Sequence, residues 1–129
     1  MKADTHIHTK DYSADARMSF NQLLNQCENH PGAVFCCSEH YDYDYPVKEI
    51  ALVFEPEDYF KGFFRIKSEY EENHRTEFPI LFGAEIGYIG HLKKHYETFA
   101  DSYPFDNIIA SIHTIDDFDP FHQRDYYDH

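Results

Sequence analysis

The chain has 129 residues, and its 11 Lys and Arg against 24 Asp and Glu give a formal net charge of −13. So acidic a composition argues against a protein that binds nucleic acid or anionic membranes, because phosphate contacts need clustered basic side chains. Hydrophobic residues make up 42% of the chain and aromatic residues 18%, which excludes a disordered protein. The length fits one domain that buries roughly two-thirds of its extended-chain surface.

The sequence also limits compartment and redox chemistry. No apolar run approaches the roughly 20 residues of a membrane span, and no N-terminal signal pattern is present, so we expect a cytoplasmic protein. The three cysteines are Cys27, Cys36 and Cys37. An odd count with two adjacent members does not predict a disulfide framework, and we expect Cys36 and Cys37 to be small core residues. Ten histidines beside 24 carboxylates are a metal-ligand composition if some of them converge.

Strand and helix signals alternate from the N-terminus. Residues 2–7 predict a strand that ends at His6-Ile7-His8. Ser19 and Gln22 form a capping-box pattern that predicts the start of a helix. Apolar residues then follow at helical spacing: Phe20, Leu23, Leu24 and Cys27. The helix is expected to stop at His30-Pro31-Gly32.

The alternation continues through the rest of the chain. The apolar run 33–37 predicts a strand buried on both faces, as in parallel sheets. Glu55-Pro56 predicts the start of a second helix with Pro in its first turn. The remaining predicted elements are a strand over 79–87, a short helix marked by Leu92, Tyr96 and Phe99, and a strand over 105–112. We expect loops over 41–54 and polar sequence without a clear period over 114–129. The order β-α-β-α-β-α-β predicts one α/β domain with a parallel sheet and covering helices.

Each predicted strand leads to a residue that can bind a metal ion. These residues are His6 and His8, then Glu39 and His40, then Glu85, and finally His113. Sites in parallel α/β proteins form outside the carboxyl ends of the strands, so these side chains are expected to converge. His6 and His8 are two residues apart on a strand and point to the same side. Taken singly, each motif has a plainer interpretation: a solvated strand end for His6-x-His8 or Glu85, and a core histidine for His113.

The other histidines are expected to be bystanders. His30 lies at a helix end, where a cation suits the helix dipole. The rest lie on helical segments facing solvent or in the tail: His74, His91, His95, His122 and His129. The stretch Tyr41-Asp-Tyr-Asp-Tyr45 is interpreted as a solvated loop that lies near the site because it follows His40.

Four motifs in order carry a family resemblance: Asp4-Thr-His6-Ile-His8-Thr9, Ser38-Glu-His40, Gly83-Ala-Glu85-Ile-Gly87 and Ala110-Ser-Ile-His113. Together they resemble the PHP (polymerase and histidinol phosphatase) superfamily. The context 106–116 looks most like its histidinol-phosphatase branch. The resemblance implies a fold like the first half of a distorted (β/α)7 TIM-like barrel. It also implies two or three divalent metal ions (zinc, manganese or iron) at the strand ends.

The resemblance further implies ligand roles and an activity. His6 and His8 would bind the first metal, Glu85 would bridge the first and second, and His113 would bind the second. His40 and Asp15 would serve a third metal. The implied reaction is the hydrolysis of L-histidinol phosphate to histidinol and phosphate in histidine biosynthesis. We predict that Glu39 manages protons.

Arg17, the nearest basic residue to the first motifs, is expected to touch the phosphate of this small substrate. The metal ions themselves would supply the positive field that an anionic substrate needs, despite the acidic net charge.

Two departures from the family pattern keep alternatives open. The family has a further His and a late Asp-x-His pair downstream, whereas this chain stops 16 residues after His113. A complete barrel also takes about 200 residues or more. The chain is then either truncated, or a half-barrel that completes itself as a homo-oligomer through its open sheet edge. His122, Asp128 and His129 are candidate replacements for the missing ligands. Rival functions are a metal-binding fragment with little catalysis, another PHP phosphoesterase, and an interaction module without a site.

Overall fold

The computed structural model describes residues 2–47, 50, 52–116 and 118–120. Strands and helices alternate in the predicted order, with a 3-10 turn before the last helix. The elements are β1 (Lys2–Ile7), α1 (Phe20–Asn29), β2 (Ala33–Tyr41), α2 (Pro56–His74), β3 (Ile80–Gly87), a 3-10 turn (Gly90–Leu92), α3 (Lys93–Ser102) and β4 (Asn107–Ser111). Within the described residues, no helix combines the length and the apolar character that crossing a bilayer requires.

The four strands form one parallel sheet in the order β1-β2-β3-β4. Each strand therefore pairs with the strands next to it along the chain, and each helix returns the chain to the opposite end of the sheet. All four carboxyl ends consequently lie at one edge. This arrangement confirms the predicted parallel β/α fold resembling half of a barrel.

Local sequence accounts for the helix boundaries. The Ser19 side chain accepts a hydrogen bond from the Gln22 amide, and the Gln22 side chain accepts one from the Ser19 amide, so the predicted capping box forms. Helix α2 begins with Pro56 directly after Glu55, as predicted. Helix α1 ends at the residue before His30, which lies at its C-cap.

The core lies between the sheet and the helices and is largely aromatic. Tyr59 and Phe63 of α2 and Phe82 of β3 are almost completely buried, with ring centroids 4.9 Å apart for both Tyr59–Phe82 and Phe63–Phe82. The hydroxyl of Tyr59 donates to the carbonyl oxygens of Cys37 and Gly83 on two neighbouring strands. Because both contacts reach the backbone, α2 fixes the spacing of β2 and β3 as well as covering them.

Two sequence-based expectations about the middle of the chain were wrong. Strand β2 continues to Tyr41, so His40 lies inside the strand rather than after it. The stretch 41–45 is not solvated throughout, since Tyr41, Asp42 and Tyr45 are buried and only Tyr43 and Asp44 are exposed. Tyr41 stacks on Phe99 of α3 at 3.9 Å between ring centroids, and this aromatic contact draws the segment onto the core. Strand β4 is shorter than the predicted 105–112 and spans Asn107–Ser111.

Candidate metal centre

Five predicted ligand residues meet at the carboxyl edge of the sheet. His6 is the residue before the end of β1, and His8 follows that strand. His40 and Glu85 are paired neighbours on β2 and β3. His113 comes two residues after β4. The parallel pairing therefore brings the strand ends together, and one short stretch at the end of each strand contributes to a single cluster.

Glu85 is the centre of this cluster. Its Oε2 lies 2.9 Å from Nε2 of His6 and 3.2 Å from Nε2 of His8. Its Oε1 lies 3.1 Å from Nε2 of His113. Nδ1 of His40 is 3.5 Å from Oε2. Because the carboxylate is only 3% exposed, these imidazoles rather than water are its principal partners.

The electrostatics of the cluster favour a cation. Burial by itself would raise the pKa of Glu85, but hydrogen bonds from His113, His8, Ser111 and His6 lower it well below its usual range. The hydrogen bond with Asp42, followed by that with Glu85, raises the pKa of His113 to about 10. The buried carboxylates thus stabilise positive charge in the cluster, and a bound metal ion would supply that charge.

The donor atoms form two overlapping ligand sets. His6, His8 and Glu85 make one, and His40, Glu85 and His113 make the other, with the candidate ligand atoms in each set within 4.8 Å of one another. Glu85 belongs to both. Imidazole and carboxylate ligands suit zinc, manganese or iron. Nδ1 of His8 is buried and has no hydrogen-bond partner among the described residues, which fits a site that takes up a further group. The residues present therefore fit a metal centre.

Asp15 lies beside this cluster. Its Oδ2 is 3.3 Å from Nε2 of His40, and its side chain is 40% exposed. The His40 ring also stacks on that of His8, with ring centroids 4.2 Å apart. The structure thus brings Asp15 and His40 together, as the third-metal prediction requires, while the assignment of an ion to them stays a prediction.

Glu39 lies outside the cluster, and its position gives no support to the predicted proton-handling role. Side chains alternate along β2, so Glu39 points away from the side that carries His40. Its carboxylate is fully buried and accepts hydrogen bonds from the amide and hydroxyl of Thr9 and the hydroxyl of Ser13. Burial raises the pKa of Glu39, and these hydrogen bonds oppose that effect. The carboxylate therefore anchors the segment between His8 and Asp15.

Two other expectations fare differently from the ligand set. Arg17 is exposed and lines a surface depression with Gln22 and Gln26 of α1 rather than the cluster, so its position gives no support to a phosphate contact. His95 does not simply face solvent, because it stacks on Tyr43 at 3.9 Å and its Nε2 lies 3.1 Å from the Tyr41 hydroxyl. The proposed replacement ligands lie outside the described residues: His122, Asp128 and His129.

Sequence reasoning missed Asp42. This side chain is 3% exposed, and its carboxylate contacts Nδ1 of His40 and Nδ1 of His113. The available signal was the spacing His40-x-Asp42, because residues two apart on a strand point to the same side. Ending the predicted strand at Cys37 concealed it.

A cleft adjoins the cluster on the side of His40 and His113. Its volume is about 290 Å³. Apolar walls come from Leu52, Ile112 and Pro120, while Asp15 and Asp119 supply carboxylates. A small organic molecule with a cationic part and an anionic part reaching the cluster would match this lining.

The chain belongs to the PHP domain family. The model of that family matches residues 4–129, almost the entire length of the chain.

Named relatives give the comparison more detail. A probable histidinol-phosphatase of Clostridium acetobutylicum is 31% identical over 126 residues, covering 98% of this chain and 45% of that protein. A histidinol-phosphatase of Lactococcus lactis subsp. lactis is 30% identical over 126 residues, covering 98% and 44%. The chain thus spans about half the length of the curated relatives it matches.

A solved structure has the same fold over most of this chain. The crystal structure of histidinol phosphate phosphatase from Lactococcus lactis subsp. lactis, complexed with zinc, L-histidinol and phosphate, matches with a TM-score of 0.76 and 28% identity. The match covers 92% of this chain and 42% of that protein. The likeness extends beyond fold alone, since it combines a shared half-barrel with recognisable sequence identity.

Proposed function

We propose that this chain acts in the metal-dependent hydrolysis of a phosphomonoester, with L-histidinol phosphate as substrate and histidinol and phosphate as products. The observation that carries the proposal is the convergence of four histidines on buried Glu85 beside a small cleft. The relatives named histidinol-phosphatase support the substrate and, by their name, a place in histidine biosynthesis.

The residues divide the work of holding metal. His6 and His8 with Oε2 of Glu85 would hold one ion, and His113 with Oε1 of Glu85 would hold a second. Glu85 is suited to bridge because its two oxygens already face different histidines. His40 and Asp15 would hold a third ion. Divalent ions at such a site supply positive charge for phosphoryl oxygens and lower the pKa of water.

The protein supplies orientation and exclusion of solvent. Because Glu85 is buried, water screens its charge only weakly, and its electrostatic interaction with the histidines stays strong. Leu52 and Ile112 give the organic part of the substrate an apolar wall, and Asp15 and Asp119 suit its cationic groups. A substrate held there by its organic part would present its phosphate to His40 and His113.

The test measures phosphate release from L-histidinol phosphate by the purified chain with added manganese or zinc. We expect His8→Ala to reduce the rate by at least about 100-fold, since loss of a ligand should exceed the effects of losing its supporting groups. EDTA should abolish the activity. The matched control is His74→Ala at the end of α2, whose imidazole is 46% exposed. Turnover that survives both EDTA and His8→Ala would refute the proposal.

Elemental analysis beside the assay separates the alternative function. The alternative is a fragment that binds metal through both ligand sets but has little catalytic activity. This alternative is supported by the length of the chain, which covers about half of each relative. Bound metal without turnover on any phosphomonoester of a substrate panel would favour it. Turnover of a different ester in that panel would favour another PHP phosphoesterase.

A further inference from the structure

Asp42 lies behind the metal centre, where it contacts two ligand histidines at once. Its Oδ2 is 3.1 Å from Nδ1 of His40, and its Oδ1 accepts a hydrogen bond from Nδ1 of His113. Its own amide donates to the carbonyl oxygen of Leu52 at 2.8 Å, which fixes the backbone that carries the carboxylate. One buried side chain thus joins the end of β2 to the segment after β4.

The other nitrogen of each ring points to the site. Nε2 of His113 faces Oε1 of Glu85 at 3.1 Å, and Nε2 of His40 faces Oδ2 of Asp15 at 3.3 Å. In both rings, therefore, Nδ1 contacts Asp42 and Nε2 is left for an ion, while Oε2 of Glu85 lies farther from Nδ1 of His40, at 3.5 Å. Metal-binding histidines are commonly held by a carboxylate on the far nitrogen, which fixes the tautomer and the ring orientation. Here a single carboxylate holds two of them.

The fold leaves space for this carboxylate at Gly87. A Cβ added to Gly87 would overlap Oδ1 of Asp42 and would come within 3.2 Å of Nδ1 of His113. The carboxylate cannot swing into solvent to relieve the overlap without giving up both histidines, because the Asp42 side chain is only 3% exposed. Gly87 at the end of β3 and Asp42 directly after β2 therefore depend on each other sterically.

We propose that Asp42 is a positioning residue shared by His40 and His113, and that it sets both imidazoles in the tautomer that binds metal through Nε2. An ionised carboxylate has acceptors only, so each Nδ1 must carry the proton and each Nε2 keeps its lone pair for an ion. This inference rests on the metal-dependent function proposed above, but it does not depend on the identity of the substrate.

The decisive variant is Asp42→Asn, which keeps the shape and changes the hydrogen-bonding groups. An amide offers one acceptor oxygen and one donor nitrogen, so it can hold only one of the two rings with a protonated Nδ1. The other ring then either loses its partner or takes the tautomer with a proton on Nε2, which cannot bind an ion. We expect zinc affinity, measured by competition with a chromogenic chelator, to fall by about 10- to 100-fold.

A spectroscopic readout distinguishes positioning from a merely structural role. In the zinc-loaded wild type, ¹⁵N–¹H long-range correlation spectra should show His40 and His113 protonated on Nδ1 and metal-bound on Nε2. In Asp42→Asn, one of these two rings should lose that signature while the His6 and His8 signals persist. Circular dichroism and thermal melting verify that the variant is folded.

Two further variants complete the design. Gly87→Ala displaces the carboxylate without removing its charge, and it should weaken zinc binding in the same direction as Asp42→Asn. Asp101→Asn removes one negative charge from an exposed position near the end of α3 and should leave zinc affinity unchanged.

The outcomes separate this inference from the proposed function. A wild-type chain that binds no zinc would contradict the metal-dependent function itself. A folded Asp42→Asn variant with wild-type zinc affinity and unchanged imidazole spectra would overturn the positioning role and leave the metal-dependent function standing.

Discussion

Replacing Glu39 with glutamine tests whether this buried carboxylate anchors the segment that joins His8 to Asp15. In the native protein it accepts hydrogen bonds from the Thr9 hydroxyl at 2.6 Å, the Ser13 hydroxyl at 2.7 Å and the Thr9 amide at 3.0 and 3.1 Å. Its side chain has no solvent contact. No water can therefore replace a hydrogen bond that the substitution removes.

The magnitude follows from counting donors. The Ser13 hydroxyl accepts a hydrogen bond from the His40 amide and donates one to Glu39. If the NH₂ group of a glutamine faced Ser13, the hydroxyl would lose its only acceptor among the described contacts. A hydrogen bond to a charged group contributes about 1.5–3 kcal/mol, and the two Thr9 donors would lose charge assistance worth about 1 kcal/mol more. We expect Glu39→Gln to lower the free energy of unfolding by about 3 kcal/mol.

Urea denaturation measures this change directly. With a slope of about 1–3 kcal/mol per molar urea, the midpoint should fall by about 1–3 M while the slope stays constant. Exposed Glu69 on α2 provides the matched control, and Glu69→Gln should change stability by less than about 0.5 kcal/mol. A Glu39→Gln midpoint that coincides with that of Glu69→Gln would refute the anchoring role.

Two other predictions address the core. Gly83→Ala should prevent stable folding, because the added Cβ would lie 2.7 Å from the Cys36 sulfur and 2.8 Å from the Cys37 carbonyl oxygen. The measurement is the loss of a cooperative thermal transition. A stable variant would contradict the close strand packing. The thiols should react with Ellman's reagent slowly in the native protein and completely in urea, because burial raises the pKa of Cys27 to about 11 and also raises those of Cys36 and Cys37. The Cys27 thiol ionises at a lower pH in the unfolded chain than in the folded protein. The free energy of unfolding, measured by urea denaturation at a series of pH values, should therefore fall as pH rises from about 9 to about 11. Rapid labelling of the native protein at pH 8 would contradict this account.

Elements were predictable where local signals agree with one another. The capping box at Ser19, the proline at the start of α2 and the alternation of apolar runs with helical stripes act over a few residues, so their consequences are local. The length of β2 was not predictable in this way. Its last residues are polar, and only pairing with β3 keeps Glu39 and His40 extended.

That pairing decided which carboxylates face the site. With β2 ending at Cys37, Glu39 next to His40 looked like the chemical group and Asp42 looked like part of a solvated loop. With the strand extended to Tyr41, alternation sends Glu39 to Thr9 and Ser13 and brings Asp42 to the side of His40.

The strand-end motifs were enough to predict that these side chains converge, because parallel strands bring their carboxyl ends to one edge whatever the details of packing. The sequence therefore predicts that His6, His8, Glu85 and His113 lie together. The support of this cluster depends on long-range contacts, since Asp42 reaches His113 across 71 positions of the chain. Contacts of that kind depend on strand register and on the space left at Gly87, and neither quantity is written in the local pattern of residues.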